Sequence, residues 1–553
     1  MMNSHDISHK LSRDQASHGS PAVLGSGSRI AVIGGGPAGS FFSYFLLDMA
    51  SRMGMELAVD IYEPRDFSIP GPAGCNMCGG VMYESLVQSL AVDGINLPGS
   101  VVQRGIGSNV VHLVSGSVRI QTPRREKRIA TTYRGIGPRG LMNFNRQSLD
   151  GHLLKLAVGR GARHIQKRVE DVRRLEAQDA GRALVQVKAA GGEPVSYELV
   201  VVATGVNTAL LKRFREMDFG YEPPRMAKLL TREYYLGEED VSRYLGASFH
   251  AFMLDIPGLD YGAIIPKGGY ITVCLLSSHG DLHPETMDTF MRDPAVRSIL
   301  PPGLPVDGFS CWCGPRINIK GSRQPFGERI VFIGDAGVSR LYKDGIGAAY
   351  RTAKAAARTA LFEGVSADDF RRSYLPFCRK LENDNRIGRL IFLVIGRLHK
   401  IAAVRGAVLR MTSLEQDGKA SAESGLSMVM WDMLTGGAPF HEVLTRMLNP
   451  VFVIRLLWNI SLSLFNGSGK PQPAGESTEL EVRPDADNEQ PMEQDAMSMS
   501  ALGRIYENGE VIFRKGDPGD FMLVIQDGQV EIVEELLGQE VRLAVSKAGD
   551  VIG

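Results

Sequence analysis

Apolar, mostly β-branched runs alternate with glycine-rich turns over the first two-thirds of the chain. Three of them, residues 30–33, 199–202 and 330–333, contain no polar residue at all. A strand without alternation has both faces covered, as in a buried parallel sheet. Each run ends in a glycine-bearing turn: Gly34-Gly35-Gly36-Pro37-Ala38-Gly39, Ala203-Thr204-Gly205 and Gly334-Asp335-Ala336. Three such strand ends, far apart in the chain, predict one nucleotide site assembled from distant segments. Residues 84–139 and 216–325 interrupt this pattern. They hold alternating stretches such as 109–121 and 261–276, separated by Gly and Pro, which predict antiparallel strands of an inserted substrate-side sheet. From residue 366 the period becomes helical. Residues 466–500, rich in Gly, Pro, Ser and acids, read as a flexible linker. Residues 501–553 return to short strands and turns.

The first turn is the most informative. A strand over 29–34 meets Gly34-x-Gly36-x-x-Gly39, then a helix over 40–53 and a strand over 56–62 that Glu63 ends. Gly34 permits the tight turn, Gly36 lets a pyrophosphate approach the backbone, and Gly39 lets helix and strand pack closely. The helix N-terminus at Pro37 and Ala38 favours phosphate through its unpaired N–H groups and its dipole. Glu63, 24 residues beyond Gly39, is placed to accept hydrogen bonds from ribose hydroxyls. The unit predicts a dinucleotide and does not separate NAD from FAD.

The later segments resemble the flavoprotein group that includes aromatic-ring hydroxylases and geranylgeranyl reductases. Gly334-Asp335 matches the group's last strand end, whose Asp meets the ribityl chain of FAD. Asp344-Gly345-Ile346-Gly347-Ala348-Ala349 matches the helix start that faces the flavin. Arg146-x-x-x-Asp150, opening a helix over 147–158, is similar to the group's R-x-x-x-D helix and implies an Arg near the cofactor. Ala203-Thr204-Gly205-Val206-Asn207-Thr208 departs from the hydroxylases' Ala-Asp-Gly segment: Thr204 replaces the Asp, which puts their route of NADPH reduction in doubt. Within the group the likeness is strongest to the geranylgeranyl reductases. Cys78-Gly79-Gly80-Val81 stands where they carry a Cys-containing loop beside the flavin, making Cys78 a candidate catalytic residue by resemblance. Tyr261-Gly262-Ala263-Ile264-Ile265-Pro266-Lys267 is similar to their substrate strand, with Ile264 and Ile265 replacing aromatic residues. FAD is the implied cofactor, an apolar small molecule such as a polyprenyl chain the implied substrate, and NAD(P)H or a reduced ferredoxin the electron donor. The resemblance spans roughly residues 29–400.

The C-terminal piece resembles the opening strands of a cyclic-nucleotide-binding β-roll, through Gly509-Glu510-Val511-Ile512-Phe513, Gly516-Asp517-Pro518-Gly519-Asp520, Asp527-Gly528 and Gly549-Asp550-Val551-Ile552-Gly553. The sequence stops where that family's phosphate-binding segment would begin, so no cyclic-nucleotide binding is expected of these 553 residues.

Charge narrows the classes further. Lys plus Arg equals Asp plus Glu at 62 each, so no global field favours nucleic acid. The six cysteines are too scattered for a disulfide framework. Cys75-x-x-Cys78 has redox-dithiol or half-zinc spacing, but no second pair supplies the remaining ligands; no metal is expected. Cys311-Trp312-Cys313 suits a strand with both thiols on one face. Residues 1–28 are polar with no apolar core, which reads as a disordered lead-in and a cytoplasmic protein. Residues 385–411 carry Arg386, Arg389, Arg397, Lys400, Arg405 and Arg410 and no acid. As one amphipathic helix this stretch suits either peripheral membrane contact or a core helix with a solvated basic face. Residues 451–465 are apolar but too short to span a bilayer comfortably.

The expected fold class is therefore α/β. A Rossmann-type FAD-binding domain (29–365, discontinuous as about 29–83, 140–215 and 326–365) carries antiparallel insertions at 84–139 and 216–325. A helical tail (366–465), the acidic linker and a partial β-roll (501–553) follow. The expected activity is FAD-dependent reduction of carbon–carbon double bonds in an apolar substrate. A flavin monooxygenase and a regulatory flavoprotein with a nucleotide-sensing module are the alternatives. His250, His279 and His283 are weaker candidates for a proton donor.

Overall fold

The computed structural model describes residues 23–75, 79–122, 129–140, 146–175, 184–206, 209–277, 282–418, 425–465, 505–512, 523–525, 527–536, 539–547 and 551–552. The expected linker, Cys78 and His279 lie outside these residues. At its centre is a six-stranded sheet in the order Phe326–Gly327, Ile330–Phe332, Leu199–Val202, Arg29–Ile33, Ala58–Tyr62, Arg163–Ile165. All neighbours are parallel except the short hairpin at Phe326–Gly327. The polar-free strands have two covered faces for a visible reason. Ile30 and Val32 face a layer formed by the helices Pro37–Arg52 and Gly345–Phe362. Ala31 and Ile33 face a three-stranded meander (Val169–Leu175, Leu184–Ala189, Val195–Tyr197) and the helix Leu210–Glu216.

Gly34 adopts φ +110°, and a side chain at Gly39 would collide with the Gly34 carbonyl oxygen. These two glycines let the first helix start directly above the end of the first strand.

Val102–Ile106 and Ile129–Thr132 of the first insertion form a separate three-stranded sheet with Val81–Tyr83, while strands from both insertions join in one eight-stranded sheet. Its path is Phe309–Cys313, Arg225–Tyr235, Tyr270–Leu276, Tyr261–Lys267, Ser248–Met253, Ser108–Leu113, Gly116–Gln121, with Arg316–Lys320 also pairing to the long second strand. The expected antiparallel pattern holds except at one joint, where Ser248–Met253 runs parallel to Ser108–Leu113. One face is closed by helices such as Pro284–Arg292. The other face packs against the helices of the tail, through Trp431, Val408 and Met430.

The tail is helical, as the period predicts, in the segments Leu375–Leu398, Ala402–Gln416, Leu426–Thr435, Phe440–Met447 and Pro450–Phe465. The single basic helix expected over 385–411 is not formed. It breaks between His399 and Ile401, and Arg389 turns inward to Glu382 (2.8 Å) and the Ile319 carbonyl (3.1 Å). No single helix among the described residues is long and apolar enough to cross a membrane. In the C-terminal segment the strands Gln529–Leu536 and Gln539–Lys547 form a hairpin, and Leu523–Val524 pairs with Val551–Ile552.

Candidate functional site

A cavity of about 1950 Å³ begins at the ends of the parallel strands. Its floor there is made by Gly34, Gly36, Pro37 and Ala38. The first intrahelical bond runs from Ser40 N to Gly36 O (3.0 Å), leaving Ala38 and Gly39 N–H without acceptors inside the helix. Gly39 lies behind the floor, where its missing side chain serves packing. Glu63 is buried at the end of the next strand and lines the cavity. Its Oε2 accepts from Gly35 N (3.0 Å) and its Oε1 from Arg65 N (3.0 Å). Two backbone donors fix the carboxylate, and its remaining lone pairs are available to hydroxyl donors.

Ala203, Thr204 and Gly205 line the same end, as does Asp335. Asp335 sits in the single 3₁₀ turn Gly334–Ala336, whose Gly334 N donates to Thr352 Oγ1 (2.9 Å). Burial pushes the Asp335 carboxyl up, while a hydrogen bond from the Ser339 side chain and the charge of Arg134 pull the other way. Gly345 and Ile346 continue the wall at the start of the Gly345–Phe362 helix. Asp344 caps that helix from a left-handed conformation (φ 56°), with Oδ1 accepting from Gly347 N at 3.1 Å. Its Oδ2 accepts from Tyr83 Oη (3.1 Å) and pairs with Arg351 (2.5 Å).

Of the expected residues, Gly39, Gly334 and Gly347 adjoin the lining without being part of it, and Arg146 lies elsewhere. Arg146 is not among the residues lining the cavity; it bonds Gln103 and Glu238 (2.8 Å) at the rim of the inserted sheet. The helix begins later than expected, at Leu149, with Ser148 as its cap, so Arg146 falls before it on the connecting segment. The arginine beside the glycine turn is Arg134, held by Asp150 through two bonds of 3.0 and 2.7 Å. A side chain at Gly36 would come within 3.1 Å of Arg134 Nη2. Arg134 was not legible as a site residue, because it sits in an irregular loop and is held beside the turn by its tertiary partner Asp150.

Beyond Gly345 the cavity turns apolar. One wall is the inserted sheet, through Val111, Phe249, Tyr261, Ala263 and Ile265, and the opposite wall is the tail, through Phe392, Val408, Val429, Met430 and Met433. Tyr261 Oη and both side-chain polar atoms of Asn109 are buried here without hydrogen-bond partners. Lys343 lines this junction. Its Nζ donates to the Leu434 carbonyl (2.8 Å) and lies 5.2 Å from the centre of the Tyr261 ring. Burial first, and then the charge of Arg340, pull the Lys343 ammonium down to about 7. No sequence signal marks Lys343: its environment is made by the sheet and a helix some ninety residues later.

The two described histidine candidates, His250 and His283, fall away from the cavity. His250 bonds His112 (2.9 Å) within the sheet, and burial holds it down at about 3. His283 precedes the Pro284–Arg292 helix as its cap residue. Cys311 is buried beside Cys75, and burial raises its thiol, a protonated state unlike that of a reactive dithiol. Among the described residues no group of His, Cys, Asp or Glu could hold a metal ion.

Residues 504–553 match the family model of the cyclic nucleotide-binding domain. No curated protein matches the sequence. Among solved structures the chain is similar to a geranylgeranyl bacteriochlorophyll reductase-like protein from Thermoplasma acidophilum. The identity is 14% and the TM-score 0.52, covering 78% of this chain and 99% of that one. It is also similar to the halogenase PltM in complex with phloroglucinol and FAD (11% identity, TM-score 0.49, 79% and 96% covered). A third is PqsL, a probable FAD-dependent monooxygenase from Pseudomonas aeruginosa (15%, 0.44, 65% and 95%). The first likeness establishes the fold, a Rossmann-type core with an inserted antiparallel sheet and helical tail.

Proposed function

We propose that the chain is an FAD-dependent oxidoreductase that reduces carbon–carbon double bonds in an elongated apolar substrate. The observation that carries this reading is the continuity of one cavity, polar at Gly36, Glu63 and Asp335 and apolar between sheet and tail. Ordinary small-molecule sites enclose roughly 300–1,000 Å³, so about 1950 Å³ has room for a dinucleotide and a second large molecule.

The residues fit FAD in kind. Ala38 and Gly39 N–H groups and the Arg134 guanidinium would hold its pyrophosphate. Glu63 would take its ribose hydroxyls and Asp335 its ribityl chain, while the Gly345–Gly347 helix start would favour negative charge near the ring system. Bound and reduced FAD supplies hydride. The chain itself must then exclude water and provide a proton. The aliphatic walls do the first. Lys343 would serve the second, since it lines the cavity and burial draws its ammonium down to about 7.

The deciding experiment is anaerobic. The purified protein is loaded with FAD, reduced with NADPH, reduced ferredoxin or dithionite, and mixed with a polyprenyl substrate. Reoxidation with stoichiometric formation of the saturated product supports the reading. Reoxidation only when oxygen is admitted, with a hydroxylated product, would replace it by a monooxygenase.

A further inference from the structure

The Pro450–Phe465 helix wears its polarity reversed. Its outward positions are Val451, Ile454, Leu457, Trp458 and Leu464, with Ile454 66% and Trp458 65% exposed. The first four fall at three- and four-residue spacing and Leu464 follows seven residues after Leu457, all on one helical stripe. Its inward side carries, beside the apolar Phe452 and Leu456, the polar groups of the helix. Arg455 pairs with the buried Glu415 (3.6 Å), Asn459 Nδ2 donates to the Arg455 carbonyl (2.8 Å), and Ser463 Oγ donates to the Asn459 carbonyl (2.9 Å). A helix whose polar residues are satisfied inside while Trp and Ile face outward is built for an apolar exterior.

Two neighbouring features say what that exterior is. The end of the Leu375–Leu398 helix and the turn after it expose Leu393, Leu398 and Ile401 together with the cations Arg397 and Lys400. No Asp or Glu occurs between residues 385 and 411. Leu393, Leu398 and Lys400 also line the cavity, as do Phe452 and Leu456 on the inner side of the reversed helix. Residues that are both exposed and cavity-lining mark an opening, and here the opening is ringed by apolar side chains and positive charge. The helices Phe440–Met447 and Pro450–Leu464 meet at 63°, and the reversed helix alone, at 16 residues, is too short to cross a bilayer.

We infer that this face docks in the plane of an anionic phospholipid surface, with the reversed helix in the acyl boundary, Arg397 and Lys400 among the headgroups, and the outer end of the cavity against the lipid. The inference stands on the helix polarity and the opening, whatever reaction the cavity serves.

The test is co-sedimentation of the full chain with phosphatidylcholine vesicles with and without phosphatidylserine. Binding is expected to be at least tenfold tighter to the anionic vesicles. Replacing Ile454, Leu457 and Trp458 together by Ser should weaken it tenfold or more at an unchanged melting temperature, and Arg397→Glu with Lys400→Glu should abolish the anionic preference. In a Trp312→Phe background, where Trp431 is buried, emission from Trp458 should shift to the blue on adding anionic vesicles. The inference is overturned if the wild-type chain stays in the supernatant with both vesicle types. It is equally overturned if light scattering shows a dimer that the triple Ser variant dissociates while Trp458 emission ignores lipid, which would make the face a contact between two copies.

Discussion

At Gly39 a single methyl group would strike the carbonyl oxygen of Gly34. Gly39→Ala should therefore push the first helix off its strand, costing roughly 1–3 kcal/mol. Urea unfolding should show the loss together with a fall in retained flavin. Lys343 makes a different demand. Its ammonium, ordinarily near 10.5, is drawn down to about 7. Between those values the unfolded chain holds a proton that the folded chain has released, so this group's contribution to stability rises as pH climbs through that window. Lys343→Met should accordingly raise Tm most below about pH 7, with the gain fading towards 10.5. The same variant should lower turnover by roughly 10²-fold or more and remove a limb near neutrality from the rate profile. Stopped-flow reoxidation across pH measures both. Gly39 and Lys343 also mark what a sequence discloses at this scale. The glycine's constraint is local and recurs as a spacing, whereas the lysine is ordinary until Leu434 and Tyr261 close around it.

At the scale of elements, the Gly345–Phe362 helix depends on Asp344, which caps it from a left-handed backbone and also meets Tyr83 and Arg351. Three substitutions separate these roles. Asp344→Asn keeps the cap and tolerates the conformation, Asp344→Gly keeps only the conformation, and Asp344→Ala keeps neither. Stability should fall in that order, with Ala about 1–2 kcal/mol below wild type from the cap alone; thermal melts of the three rank them. The helix and its turn were legible because Asp-Gly-Ile-Gly is a local signal. The tail was less so. Nothing in His399-Lys400-Ile401 announces a helix break, since no Gly or Pro stands there. Apolar content over 451–465 was plain, yet which side the protein covers depends on Glu415, some forty residues earlier.

Across the whole molecule, the cavity joins three parts of the chain: the parallel sheet, the inserted sheet and the tail. Gly396 lines its outer limb, and a side chain built there meets nothing within 4 Å. Gly396→Trp should fold normally and obstruct that limb. KM should rise tenfold or more for a long polyprenyl substrate, about 1.4 kcal/mol, and stay level for a short one, as steady-state assays over chain length would show. The parallel core and its glycine ends could be read from the sequence because strand burial and turn geometry are written in adjacent residues. The shape of the cavity could not, because its apolar wall is shared between strands and helices that only tertiary packing brings face to face.

The parallel joint between Ser248–Met253 and Ser108–Leu113 carries a cost in time. A ribosome that has released the first insertion has supplied two strands of a sheet whose remaining members lie more than a hundred residues ahead. The central Arg29–Ile33 strand likewise waits for Leu199–Val202 to cover its far edge. Such remote pairings must close long loops before they gain anything, which slows assembly and exposes sticky edges meanwhile. Chains halted before residue 276 should therefore be captured by chaperones, and neither insertion should yield a stable piece when produced alone.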